Sequence, residues 1–309
     1  MKVSIAVISY NSEKTILSTL DSILGQDYDR RKIELVISDD ASRDATVEIA
    51  QNWLKEYGSS FDSTKLIVNS VNSGVSANYN NASKACTSEW IKIIAADDIL
   101  KENCLSSNIS FIINEPRAQI VFSYIECFGD ATGIIPYASQ LDFFSLDAKE
   151  QNNVFRYFSF NVAPSQFIKK SLLQDVGFAN EDYRLMEDCP LWLKITASGV
   201  RLYFNEVVTV KYRVANSISK AGSKFINRDF VKCCLLINKN EKKEVFPSFG
   251  FFLKLEEQLI LRYKLFLSYI LGNRRTVLHK ILFNMIWFFT PLNLFYRGRE
   301  RMLRIRSYN

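Results

Sequence analysis

The first hundred residues alternate between two spacings of apolar positions. Residues 3–9, VSIAVIS, and residues 33–38, IELVIS, are short apolar runs that end in polar residues. Runs of that length with such boundaries predict buried strands. Between them, residues 13–25 place Ile16, Leu20, Ile23 and Leu24 on one helical face, with Ser12 as the expected N-cap. Residues 43–57 follow the helical spacing through Val47, Ile49, Ala50, Trp53 and Leu54. Then come a strand at 65–69, a loop around NSVNSG, a helix at 75–86 and a strand at 90–95. Strands alternating with helices predict right-handed crossovers and a parallel sheet covered on both faces. Ligands of such sheets bind beyond the carboxyl ends of the strands. Asn11, Asp39, Asn72 and Asp98 all follow strands, so they are expected to converge on one crevice.

Beyond residue 105 the pattern loosens. Residues 105–114 read as helix, 119–128 as strand and 129–150 as irregular, and 151–176 hold helical stretches around an NVAPSQF break. A loop, a helix from about Cys189 and another strand follow. From about residue 224 the chain is helical, aromatic and basic.

Composition narrows the function classes. With 309 residues and 48% hydrophobic content, the chain can bury one large core or two smaller ones, and it has no low-complexity tract. The opening MKVSIAVISYN is too short and too interrupted for a secretory signal. Six cysteines stand without metal or disulfide spacing, which fits a reducing cytosol, and His279 is the only histidine. Zinc and Ser-His or Cys-His chemistry are therefore poorly supported, and His279 reads as surface or interfacial. Net charge is +6, but residues 254–309 hold 11 Lys and Arg against 3 Asp and Glu, so the remainder carries −2. Basicity confined to the tail argues against nucleic acid and for a local anionic partner.

Three acidic pairs carry the candidate chemistry. In IIAADDIL, Asp97 and Asp98 end a strand, which suits a hard divalent cation held by one or two carboxylates plus substrate phosphates. The same pair could cap the helix that follows. In ISDDASRDAT, Asp40 or Ser42 suits the start of helix 43–57 and Asp44 its dipole, which leaves Asp39 for a base-ring N–H in the crevice. In RLMEDCPLW, Glu187 and Asp188 precede a helix, with Asp188 an N-cap candidate and Pro190 in the first turn.

Together these segments resemble the family 2 inverting glycosyltransferases of the GT-A fold. The carriers are SIAVISYN, ISDDASRDAT, NSGVSANYNNA, IIAADDIL and MEDCPLW, in the family's order, over about residues 2–215. The resemblance implies an α/β fold with a mostly parallel sheet flanked by helices and a C-terminal helical region. It implies a catalytic domain at 1–223, divided into a nucleotide-sugar half (1–105) and an acceptor half (106–223). Residues 224–309 would then form a basic, membrane-associating region. It further implies a Mn²⁺ or Mg²⁺ cofactor on Asp98. Where the family motif often has an acid, this chain has Ala96, so Asp97 is expected on the donor's ribose or sugar. Ser9, Tyr10, Asn11, Asp39, Asn72 and Asn78 are expected on the nucleotide side, with Ser9 and Asn11 also readable as strand terminators and Asn78 as a helix-surface residue. Asp188 is the expected base, and Glu187 the group that orients the acceptor hydroxyl. EDCPLW and the basic tail resemble bacterial O-antigen or capsule transferases. These move a hexose, here glucose or galactose, from a UDP-sugar to a lipid-diphosphate-linked saccharide at the inner face of the cytoplasmic membrane.

In the tail, LILRYKLFLSYILG and ILFNMIWFFTPLNLF fall short of the roughly 20 apolar residues a span needs. Arg262 and Lys264 interrupt the first and Pro291 breaks the second, so interfacial helices on anionic lipid are expected. Competing readings are a nucleotidyltransferase, which would need a Gly-rich loop that ISYNSEKT lacks, a receiver-like signalling module, and a catalytically inactive sugar-binding relative.

Overall fold

The computed structural model describes residues 1–156, 162–214, 224–241, 248–274 and 276–292. Its first half follows the alternating pattern: β1 (Val3–Ser9), α1 (Ile16–Leu24), β2 (Ile33–Asp39), α2 (Thr46–Tyr57), β3 (Ser63–Val68), α3 (Val75–Ala85) and β4 (Trp90–Ala95). A two-residue β5 (Ile99–Leu100), α4 (Cys104–Asn114) and the long β6 (Ile120–Gly129) come next. The stretch expected to be irregular contains β7 (Gly133–Ile135), α5 (Ala138–Leu141) and the start of α6 (Ala148–Phe155). These elements are too short to show a period in sequence; Asp147 starts α6 by accepting from Glu150 N at 2.8 Å. Then follow β8 (Phe167–Lys169), α7 (Lys170–Asp175), α8 (Asp188–Ala197), β9 (Tyr203–Val214), α9 (Arg228–Asn240), α10 (Ser248–Ile270) and α11 (Val277–Asn284).

The strands form one sheet in the order β3-β2-β1-β4-β8-β6-β9-β5, with β7 on the edge of β6. Strands β3, β2, β1 and β4 are parallel, and β8 joins β4 and β6 antiparallel. Strand alternation sorts the core into two layers. Val3, Ile5, Val7, Leu35 and Ile37 pack under α1, α2 and α4. Ala6, Val36, Ile91 and Ile93 face the opposite layer, with Tyr79 of α3 and Leu191, Trp192 and Ile195 of α8.

Several local expectations change. Ser12 is not the N-cap of α1: its carbonyl accepts from Thr15 N and Ile16 N, and its own N–H donates to Thr46 Oγ1 at 2.7 Å. Helix α2 begins three residues later than expected, where Asp44 Oδ1 accepts from Thr46 N at 3.1 Å. Asp40 does not cap that helix. It accepts from Ser73 N at 2.9 Å, Gly74 N at 2.8 Å and Asn69 Nδ2 at 3.1 Å, and so holds the loop before α3. His279 is buried, 1% exposed, because it sits in the first turn of α11 with Nδ1 on Thr276 Oγ1 and its ring against Phe225.

Candidate active site

The parallel strands end together, and their following loops are tied to one another. Ser9 Oγ donates to Asp39 Oδ2 at 2.8 Å, and Ser42 donates from its N to Oδ1 (2.8 Å) and from its Oγ to Oδ2 (2.6 Å). Asn11, at a positive φ of 50°, gives its N–H to Ser42 Oγ and accepts from Arg43 N. Asp39 is therefore 1% exposed and frames these two loops with three filled acceptor positions. Tyr10, 48% exposed, projects from the same strand end.

Asn78 is neither on the helix surface nor open to a ligand. It is 3% exposed; Ser38 Oγ donates to its Oδ1 at 2.6 Å, and its Nδ2 donates to Ser9 O and Ser38 O. It stitches α3 beneath the ends of β1 and β2. Asn72 lies in the loop before α3, where Arg184 Nη2 donates to its carbonyl at 2.9 Å and Arg184 Nε donates to Ser73 O. Gly74 makes that approach physically possible. Its φ is +97°, and a Cβ there would meet Arg184 O at 2.5 Å, far inside contact distance. Ser76 Oγ adds a bond to Tyr183 O at 2.6 Å. The loop before α3 thus carries the 183–188 segment.

That docking brings two acidic pairs, 89 residues apart in sequence, to one cavity of about 490 Å³. Asp97 and Asp98 line it from the end of β4, and Glu187 and Asp188 from the start of α8. Tyr79, Gln166, Trp192, Tyr212 and Phe230 supply much of the remaining wall. Ala96, the position where an acid was missing, is buried in the opposite core layer under α1, so the cavity meets Ala95, Asp97 and Asp98 instead. Ser9, Tyr10, Asn11, Asp39, Asn72 and Asn78 do not line this cavity; they sit at or under the neighbouring strand ends.

The electrostatics are those of buried like charges. Burial and then the Asp97 charge hold the Asp98 carboxyl well above the usual carboxylate range, and burial raises Asp97 as well. Asp98 is 1% exposed and accepts from Arg213 N at 2.8 Å, while Arg213 Nε donates to Asp97 O. Beneath them, burial pulls the Lys92 ammonium down to about 8; its Nζ donates to Pro164 O at 2.6 Å and to Gln166 O. Glu187 is pushed up to about 8 by burial and the adjacent Asp188. Asp188 is also raised by burial, although Cys189 N donates to its Oδ1 at 2.6 Å. Asp188 is the first residue of α8 and not its N-cap, because Glu187 occupies the cap position.

Arg213, Lys92 and Phe230 carry no sequence signal that marks them for this site. Arg213 lies on an ordinary alternating strand, Lys92 interrupts an apolar run, and Phe230 follows two charged residues in a helix. Only the pairing of β9 with β5 and β6 brings Arg213 to Asp98.

The glycosyl transferase family 2 profile matches residues 4–177, more than half of the 309 residues. Among curated relatives, UDP-Glc:alpha-D-GlcNAc-diphosphoundecaprenol beta-1,3-glucosyltransferase WfaP of Escherichia coli is 28% identical over 223 residues, covering 70% of this chain and 79% of WfaP. The poly(ribitol-phosphate) beta-glucosyltransferase of Bacillus spizizenii is 28% identical over 57% of this chain. The match spans only 26% of that enzyme, and 41% of EpsE of Bacillus subtilis. Among solved structures, Staphylococcus aureus TarS 1–349 in complex with UDP-GlcNAc superposes with a TM-score of 0.62 at 21% identity, covering 85% of this chain and 73% of that one. Mannosyltransferase PcManGT of Pyrobaculum calidifontis, with GDP-Man and Mn²⁺, gives 0.58 at 18% identity over 99% of this chain and 86% of its own. With a mixed sheet, parallel at its β3-β2-β1-β4 end, and helices on both faces in the GT-A arrangement, the chain belongs to glycosyl transferase family 2.

Proposed function

We propose that this protein is a divalent-metal-dependent inverting glycosyltransferase that moves glucose or galactose from its UDP derivative to a lipid-diphosphate-linked saccharide, in bacterial O-antigen or capsule synthesis. The observation that carries this reading is the convergence of Asp97–Asp98 and Glu187–Asp188 on one cavity. Transfer with inversion needs charge neutralisation at the leaving nucleotide and a base near the acceptor, and the two pairs suit those tasks. WfaP supports the acceptor class through its diphosphoundecaprenol substrate and its 79% coverage.

The donor atoms fit a hard cation: oxygen ligands on a rigid strand end, with charge that burial makes costly to leave alone. Among the described residues no cluster of three or more His, Cys, Asp or Glu could hold a metal, so Asp98 would hold the ion together with substrate oxygens and water. Mn²⁺ or Mg²⁺ on Asp98 supplies neutralisation of the departing diphosphate. Asp97 faces the donor's ribose or sugar. Tyr10 and the Ser9–Asn11–Asp39 frame border the uridine, with Asn72 behind it; Asn78 holds this frame from below.

At the other pair burial raises both carboxyls, with the Asp188 charge adding to the rise at Glu187, and we assign the base role to Asp188, whose Oδ1 is fixed by Cys189 N. The acceptor hydroxyl oxygen bonds to the anomeric carbon, its proton passes to Asp188, and UDP leaves with the bonding electrons. Glu187 orients the hydroxyl.

We place the protein in the cytoplasm, peripheral at the inner membrane face. No described helix is long and apolar enough to cross a membrane. Helix α10 buries Leu253, Ile260 and Leu267 yet exposes Phe252, Leu255, Leu259 and Phe266 on another stripe, and Arg262, Lys264, Arg274 and Lys280 lie on or near it in the chain. An exposed apolar stripe with basic neighbours suits anionic lipid.

The test offers UDP-glucose, UDP-galactose and their N-acetylated forms with a short-chain lipid-diphosphate GlcNAc, with and without Mn²⁺, and reads the product's anomeric configuration by NMR. A β-linked product formed only with metal is expected. An α-linked product, or full transfer in chelator, refutes the reading.

A further inference from the structure

Helix α9 lies outside the family profile's span and beyond the 1–223 unit, yet it reaches the catalytic cavity. Phe230, in its first turn, lines the same space as Glu187, Asp188 and Tyr212. The helix is held firmly on three sides. Asn227 Oδ1 caps its start by accepting from Phe230 N at 3.2 Å. Arg228 Nε donates to Ser268 Oγ at 3.0 Å, with its guanidinium 4.3 Å from the centre of the Tyr269 ring on α10. Cys233 and Ile237 pack with Tyr183 and Met186, and the Tyr183 hydroxyl donates to Glu241 at 2.6 Å. Phe230 itself is half-buried and, among the described residues, belongs to none of the core clusters.

A large apolar ring on the wall of a cavity that also holds carboxylates matches what a sugar ring requires. Hexoses present one face of C–H groups that packs on an aromatic ring, while their hydroxyls need acceptors at the edge. Helix α9 packs through Cys233 and Ile237 on Tyr183 and Met186, the segment that leads into the proposed base pair, and this favours the acceptor side. We infer that α9 forms the acceptor wall of the site, with Phe230 the ring on which the acceptor saccharide stacks. This rests on the glycosyltransferase reading above. It extends the acceptor half of the enzyme past residue 223 and makes α9 part of the transferase.

Phe230→Ala and Phe230→Tyr in the full chain test the assignment, with the short-chain lipid-diphosphate GlcNAc as acceptor. Phe230→Ala removes the stacking area and should raise the acceptor KM about tenfold with kcat changed less. UDP affinity should stay at the parent level, and Phe230→Tyr should restore the acceptor KM. An unchanged acceptor KM overturns the proposal. So does a parallel loss of UDP affinity, which would put Phe230 on the donor side. So does a lowered kcat at constant KM that Tyr does not rescue, the signature of a packing role. A parent protein that binds UDP but glycosylates no acceptor would count against the transferase reading. In that case, saturation-transfer NMR of free GlcNAc with parent and Phe230→Ala still decides whether the ring holds a sugar: equal signals overturn it.

Discussion

Asp188→Asn separates the proton-accepting role from the structural one. The carboxylate is half-buried at the start of α8 and accepts from Cys189 N at 2.6 Å. An amide oxygen can keep that contact, so the folding loss is limited to exchanging a charge-assisted bond for a neutral one, ~1 kcal/mol. Removing one of two adjacent negative charges offsets part of it, since Asp188 is a cause of the raised pKa of Glu187. The melting temperature should therefore stay within about 4 °C of the parent. Turnover should not: loss of a general base costs a factor of about 10² to 10⁴, or ~3 to 5 kcal/mol of barrier. Single-turnover transfer with saturating donor reads that factor, and calorimetric UDP titration checks that donor affinity stays within about twofold. In the parent, turnover should fall as pH drops through the raised pKa of Asp188, because protonation removes the base; the variant should lose this acid limb. If Asp188→Asn turns over at the parent rate while Glu187→Gln is inactive, the roles within the pair are reversed. If UDP affinity collapses with turnover, Asp188 belongs to the donor side.

Glu187→Gln should stabilise the protein increasingly with pH. The folded value of about 8 lies above the ordinary 4.5, so this group's contribution is full below pH 4.5 and lost as pH rises through 8. Melting scans at pH 5 and pH 9 should show the variant's advantage growing; a constant difference refutes the burial. Asp98→Ala should abolish metal-stimulated transfer while the fold survives, and isothermal titration of Mn²⁺ with UDP should lose the metal's contribution. Unchanged metal stimulation would place the ion elsewhere. Asn78→Ala removes three hydrogen bonds from a buried site and should cost ~2 to 4 kcal/mol, visible in urea melts, while the folded fraction keeps its UDP affinity. A selective loss of UDP binding would restore Asn78 to the nucleotide side. Leu259→Glu on the exposed stripe of α10 should release the protein from vesicles containing phosphatidylglycerol without lowering its melting temperature. Undiminished sedimentation, or a change in oligomeric state instead, would assign the stripe to another surface.

The layered fold and the strand ends were legible because both are local. Period-two runs such as VSIAVIS and helical spacing such as Ile16, Leu20 and Ile23 follow from backbone geometry, and the residues that follow each strand are neighbours in sequence. The two acidic pairs could be named for the same reason, as short motifs. What each polar group does with its lone pairs was decided only by long-range packing. Asp39, Asp40 and Asn78 look alike as polar residues at strand and helix ends, yet the structure spends each on holding loops together, Asp40 across 33 and 34 residues. The approach of Arg184 to Gly74, the delivery of Arg213 to Asp98 and the arrival of Phe230 at the cavity join segments about 110 residues apart or more, or depend on a helix beyond the recognisable motifs. No spacing rule reaches that far, since such contacts exist only once the sheet order and the crossover of each helix have been chosen. His279, polar by composition and buried in the fold, marks the same limit: its burial depends on which face of α11 meets Phe225, and that face is selected by its neighbours.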